Sequence, residues 1–264
     1  MLRSMYSGIS GMKNFQTKLD VIGNNIANVN TYGFKKGRVT FKDAISQTTT
    51  GASASTDARG GTNAVQIGLG SSISSIDTID TAGSLQNTSR ALDLGIQGEG
   101  YFIVNDGTTD YYTRAGNFYL DEDGTLVTSE GYKVQDTSGN DIQLDVENIQ
   151  SFSIAQNGDI NVVTTGGAIN VPATIALARF SNPSGLEKDG NNLFRESVNS
   201  GMPLDGAPGT GGMGSLSSGR LEMSNVDLSE EFTDMIVAQR GFQANTRIIT
   251  TSDEILQELV NLKR

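Results

Sequence analysis

Residues 2–30 read LRSMYSGISGMKNFQTKLDVIGNNIANVN, and Leu2, Met5, Ile9, Met12, Phe15, Leu19, Ile22, Ile26 and Val29 recur in steps of three or four. That spacing places apolar side chains in one seam along a helix. The far end repeats the rhythm through Leu228, Phe232, Met235, Phe242, Ile249, Leu256 and Leu259. Between the two ends no long helix is readable from Gly60 to Arg220. The expected fold class is α+β: N- and C-terminal helices pairing as a coiled coil, with a central all-β domain connected by Gly/Ser-rich linkers. Two helical ends that must return to each other across a β body suggest a chain built for assembly.

The first helix is expected from about Leu2 to Ala27. Gly8, Gly11 and Gly23 weaken it by about 1 kcal/mol each against Ala, so it must gain from tertiary or quaternary packing. Asn28, Asn30, Thr31 and Gly33 end it, because Asn and Gly suit the left-handed position after a helix. The last helix starts at Asp227, a capping residue with Glu230 three positions on. It is expected to reach Leu262, with Lys263 and Arg264 favourable at the negative end of its dipole. A lone two-helix arm of this kind is marginal, and both termini are expected to be largely disordered in the free monomer and to fold on assembly.

Short strand patterns fill the centre: 66–69, 73–79, 91–96, 101–104, 111–113, 117–120, 125–127, 149–154, 160–163 and 174–180. Asp106-Gly107, Asp123-Gly124 and Asn157-Gly158 mark tight turns among them. Residues 47–63 and 201–219 are rich in Gly, Ser, Thr or Ala without periodicity and read as loop or linker. The expected division is residues 1–33 for the first helix, 34–72 for an extended linker and loop, 73–200 for the β domain, 201–224 for a glycine-rich linker, and 225–264 for the last helix.

Composition narrows the chemistry. The 264 residues contain no Cys, His or Trp. This excludes Ser-His-Asp and Cys-His nucleophiles, thiolate chemistry, disulfides and the usual zinc sites. A formal net charge of −11 argues against a broad nucleic-acid footprint or attraction to an anionic membrane. The one basic cluster, Lys35, Lys36, Arg38 and Lys42, reads as a local electrostatic contact. No stretch approaches the roughly 20 apolar residues of a membrane span, and residues 1–30 lack the apolar core of a signal peptide.

Other motifs favour bland readings. Gly98-Glu99-Gly100 lacks the third glycine and the following helix of a dinucleotide loop and reads as a turn. Asp121-Glu122-Asp123-Gly124 lacks the ligand alternation of a calcium loop. Tyr112, Arg114, Phe118 and Tyr119 could form a patch for sugar or peptide, but alternating aromatics on a hairpin usually serve the core and cross-strand pairs. No catalytic residues, cofactor or metal site are expected, and the chain does not read as an enzyme.

Leu19-Asp20-Val21-Ile22-Gly23-Asn24-Asn25-Ile26-Ala27-Asn28, with Thr31, Gly33, Phe34 and Lys35 after it, resembles the amino-terminal signature of bacterial flagellar rod and hook proteins. Leu92-Asp93-Leu94-Gly95-Ile96-Gln97-Gly98-Glu99-Gly100-Tyr101-Phe102 and Tyr112-Thr113-Arg114-Ala115-Gly116-Asn117-Phe118 resemble the family's β-domain motifs. Ser224-Asn225-Val226-Asp227-Leu228 and Met235-Ile236-Val237-Ala238-Gln239-Arg240-Gly241-Phe242 resemble its tail. Gly23-Asn24-Asn25-Ile26 and the opening residues 1–11 look closer to hook proteins of Gram-positive bacteria, so a hook subunit is the leading expectation: a bendable hollow tube that transmits torque. The alternative is a distal rod subunit, a stiff drive shaft, with which the length and residues 47–70 are also compatible.

The resemblance implies a homopolymer exported by the flagellar type III apparatus, located in the basal body or hook outside the cell. It implies rod, hook cap and hook–filament junction proteins as partners. It makes the seam residues Leu2, Met5, Ile9, Met12, Leu19, Ile22, Ile26, Leu228, Phe232, Met235, Phe242, Ile249, Leu256 and Leu259 candidate assembly residues. Asn24, Asn25 and Asn28 are candidates for polar contacts that set register, as buried amides do in coiled coils.

Overall fold

The computed structural model describes residues 2–55, 59–145 and 148–262. The side chain of Leu2 and the Lys263-Arg264 pair, for which roles were expected, lie outside the described residues. The chain divides into two compact units.

The first unit comprises residues 1–27, 37–78 and 227–264. Helix α1 runs Leu2–Ala27 and α2 runs Leu228–Asn261. Asp227 caps α2 as its sequence position suggests: Oδ1 accepts from the Ser229 N–H at 2.8 Å and the Glu230 N–H at 3.4 Å, satisfying donors that the first turn leaves unpaired. The helices lie antiparallel. Gly8 faces Ile249, Gly11 faces Asn245, Phe15 faces Gly241, Lys18 pairs with Asp234 at 3.1 Å, and Asn25 meets Glu231. Residue numbers rise along one helix as they fall along the other, so one register is kept throughout.

The segment expected as an extended linker and loop contains paired strands. β1 (Gly37–Asp43) pairs antiparallel with β4 (Ser71–Thr78), and β2 (Ser46–Thr50) pairs with β3 (Val65–Gly68). The β1–β4 stem rests on α1: Asn14 Nδ2 donates to Ser71 Oγ at 2.8 Å, and the Phe15 and Phe41 rings lie 6.1 Å apart. Every residue of β2 and β3 is exposed. With Ser, Gln and Thr filling β2, nothing local marked it as a strand; the register with β3 supplies it.

The second unit comprises residues 28–36 and 79–226. It includes β5 (Leu85–Asn87), β6 (Leu94–Gln97), β7 (Tyr101–Asn105) and β8 (Asp110–Thr113). β7 sits inside a nine-stranded sheet, bonded to β8, to Lys133–Val134 and to Leu177–Arg179. It reads Tyr-Phe-Ile-Val because both of its faces are covered. Phe102 and Val104 point into a core with Leu94, Phe118, Leu126 and Leu177, while Tyr101 and Ile103 point into a second cluster with Tyr112, Phe180 and Phe194. Gly107, Gly124 and Gly158 all have positive φ, as the three turn signals require. The presumed linker 201–219 is again strand in part. Leu204–Gly206 pairs with Leu177–Arg179 and Ser215–Ser218 pairs with β6, partners too distant in sequence for composition to reveal.

Candidate assembly surface and a buried charge cluster

The seam between α1 and α2 is a heptad whose alternate layers are small or polar. On α2 the side facing α1 carries Glu231, Ala238, Asn245 and Ser252 at intervals of seven, interleaved with Met235, Phe242, Ile249 and Leu256. Glu231, Ala238 and Ser252 are buried. Of the seam residues expected on α2, Met235, Phe242, Ile249 and Leu256 are half-buried. Leu228, Phe232 and Leu259 instead face outward at 40–50% exposure. Apolar periodicity could not see the other layers because they are small or polar; the interval of seven was the available signal. On α1, Ile22 is buried, Met5, Met12, Leu19 and Ile26 are half-buried, and Ile9 is exposed.

Small residues let these helices approach closely. A methyl group at Gly11 would lie 2.9 Å from the Asn245 amide, and one at Gly241 would lie 2.5 Å from the Phe15 ring. The three candidate asparagines separate. Asn24 is exposed and Asn28 half-buried in the second unit. Asn25 alone is buried in the first unit, where its Nδ2 donates to Gly37 O at 2.9 Å and to Glu231 Oε2 at 3.1 Å. Its Oδ1 accepts from the Gly37 N–H at 2.9 Å. One amide thus ties α1 to both β1 and α2.

Apolar surface remains on the helices. Tyr6 on α1 and Phe232, Ile236, Val237, Ile248, Ile255 and Val260 on α2 are exposed. A display of this extent is uncommon on a chain that stays alone in water.

Inside the second unit, the segments that flank the helices meet in a buried charge cluster. Lys35 and Glu222 are each 1% exposed, with Lys35 Nζ 2.7 Å from Glu222 Oε1. The same Nζ donates to Thr81 O at 2.8 Å and lies 3.8 Å from Asp80 Oδ1. Arg114, also 1% exposed, donates to Glu222 Oε2 at 3.2 Å and to Gly98 O at 3.0 Å, and its guanidinium lies 5.1 Å from the centre of the Tyr101 ring. Gly83 N–H donates to Glu222 Oε1 at 2.9 Å. Burial lowers the Lys35 pKa, and Arg114 pushes in the same direction, while Glu222 opposes both. Beside it, Asn225 accepts from the Lys36 N–H and donates to Ile79 O, both at 2.8 Å.

Lys35 therefore makes the local contact expected of the basic cluster, but as an internal tie. Arg38 reaches Asp77 only at 3.7 Å on the surface, where such pairs contribute little. The role of Glu222 was not legible in the sequence. Among the described residues, no helix is long and apolar enough to cross a membrane, and no group of three Asp or Glu residues is placed to hold a metal.

Three family models match the chain. One described as flagella basal body rod protein covers residues 5–35, one described as flagellar hook protein FlgE/F/G D1 domain covers 95–162, and one described as flagellar basal body rod FlgEFG protein C-terminal covers 217–262. The chain is 61% identical over 265 residues to the flagellar basal-body rod protein FlgG of Bacillus subtilis, covering all of both chains. It is 41% identical over 277 residues to the corresponding rod protein of Borreliella burgdorferi, and 33% identical over 441 residues to the flagellar hook protein FlgE of that organism, again covering all of each chain.

Proposed function

The chain belongs to the flagellar basal-body rod and hook protein family, and we propose that within it the chain is a distal rod subunit, a stiff element of the drive shaft. The family is a structural part of the flagellum, not an enzyme family. The observation that carries the rod reading is the 61% identity over 265 residues to a rod protein, an alignment one position longer than the 264 residues here. The hook relative aligns over 441 positions, so at least 441 − 264 = 177 of them face no residue of this chain. The hook expectation rested on short motifs in and before α1. Rod and hook relatives both align over the whole of this chain, its helices included, so those motifs identify the family better than the member.

Mechanics favours the same reading. A tube bends when subunits on opposite sides slide unequally, and extra ties between copies oppose that sliding. The β2–β3 hairpin is such a tie in form: two strands, every residue exposed, and too little buried surface to be stable alone. The exposed Phe232, Ile236, Ile248 and Ile255 supply contacts between neighbouring helix pairs. In this reading the expected seam residues line the inner layer, and export uses the type III apparatus. Hook, cap and junction proteins are partners at the ends of the assembled stack.

The test is electron microscopy of tubes formed by the full chain beside a chain lacking residues 46–68. Straight, rigid tubes from the former and bendable tubes from the latter support a rod whose stiffness comes from the hairpin. Curved tubes from the intact chain return the assignment to the hook.

A further inference from the structure

A second surface in the β unit matches the hairpin in shape and charge. Leu120 closes the edge strand Tyr119–Leu120 of the nine-stranded sheet, and Ile149–Ile154 is the edge strand of a separate three-stranded sheet. A groove of about 410 Å³ runs between these edges, lined by Ala91, Leu120, Ile149, Gln150, Ser151 and Phe152. Its walls are mostly apolar, and none of those six residues is charged. Edge strands present unpaired backbone donors and acceptors, so an apolar groove flanked by two of them suits an extended strand that adds to the sheet.

β3 has the complementary form. Val65, Ile67 and Leu69 occupy alternate positions, share one face and are exposed. β3 pairs only with β2 among the described residues, so its other edge is open. Charge argues for a second copy as the occupant. Each chain carries −11, so most contacts between copies bring like charge together. Residues 44–76 contain only Asp57 and Arg59 as charged residues, which cancel. The uncharged groove therefore meets an uncharged strand, and the two can meet without like-charge repulsion.

We propose that β3 of one copy docks by strand addition into the groove between Leu120 and Ile149–Phe152 of a neighbouring copy. The inference rests on the rod reading for the presence of neighbours and adds the address of the contact.

The chain has no cysteine, so paired cysteines report the contact cleanly. Ile67→Cys and Ser151→Cys are introduced singly and together, at exposed positions. Basal bodies are isolated from motile cells that carry each variant in place of the native chain, and treated with a short bismaleimide. The double variant is expected to give a ladder of dimers, trimers and higher species, and each single variant only monomer. Adding Ala91→Arg to the double variant is expected to reduce the ladder at least fivefold. Monomer alone from the assembled double variant, or an equal ladder from either single variant, overturns the docking site. Antibody labelling of the same basal bodies reads the rod assignment separately: label on the curved hook overturns the rod reading whatever the ladder shows.

Discussion

Asn25 Nδ2 donates to Glu231 Oε2 at 3.1 Å across 206 residues of sequence, and both side chains are buried. The amide is saturated, since its other donor and its acceptor both go to Gly37. Asn25→Ala strips these partners from a buried carboxylate and a strand end, at about 1–3 kcal/mol for each buried group left unsatisfied. Melting followed by helix content should fall, assembly should need a higher protein concentration, and the β unit should melt as before. Asn25→Asp should be worse, because it cannot donate and sets a second carboxylate against Glu231. Equal losses in the helix pair and the β unit would count against this role.

Among the described residues, Glu222 is the one anion paired with both Lys35 and Arg114. Glu222→Gln leaves two buried cations without it, and breaking a buried pair this way costs about 3–5 kcal/mol. Lys35→Met should cost less, because Glu222 keeps Arg114 and the Gly83 N–H. Urea unfolding of the two variants orders them; the reverse order would show that Lys35, not Glu222, is the centre of the cluster.

Glycines in this chain should divide by what surrounds them. Nothing lies within 4 Å of a methyl at Gly23, so Gly23→Ala should stabilise α1 by up to about 1 kcal/mol. Gly241→Ala has the same helical benefit but drives a methyl to 2.5 Å from the Phe15 ring, so it should destabilise. At Gly116 the methyl would lie 1.8 Å from Leu94 O, a backbone atom, and Gly116→Ala should prevent the β unit from folding. Thermal melting of the three variants gives the signs directly.

Alkaline pH should weaken the β unit through its tyrosines. Burial, aided by the Asp80 charge, raises the Tyr101 pKa, and burial, aided by Asp205, raises that of Tyr112. Unfolded tyrosine ionises near pH 10, so above that pH the folded state holds more protons. Stability is then full below about pH 10 and falls as pH rises beyond it. Lys35 has the opposite sign: its lowered pKa makes stability rise with pH up to its ordinary value of 10.5. Urea midpoints between pH 8 and 12 should fall less steeply above pH 10 in Tyr101→Phe than in the parent; an unchanged slope would remove Tyr101 as a cause.

The sequence by itself determined the two helices, the β class of the centre and its tightest turns, because each depends on neighbours within about four residues. A step of three or four, Asp227 before α2, and Asp-Gly or Asn-Gly at a turn are local statements. Tertiary structure decided which residues each helix turns inward. Phe232 and Leu259 look like seam residues by hydrophobicity, yet Glu231 and Asn245 face α1, because Asn25 and Gly11 on the opposite helix accept polar partners there. It also made strands of Ser46–Thr50 and Ser215–Ser218, whose composition signals only loop. Their conformation comes from backbone pairing with Val65–Gly68 and Leu94–Gln97. Lys35 shows the same limit: a lysine in a basic run reads as surface until the fold brings Glu222, 187 residues away, to its ammonium. Pairing and burial at such distances follow from how the chain closes on itself, which no local window of sequence records.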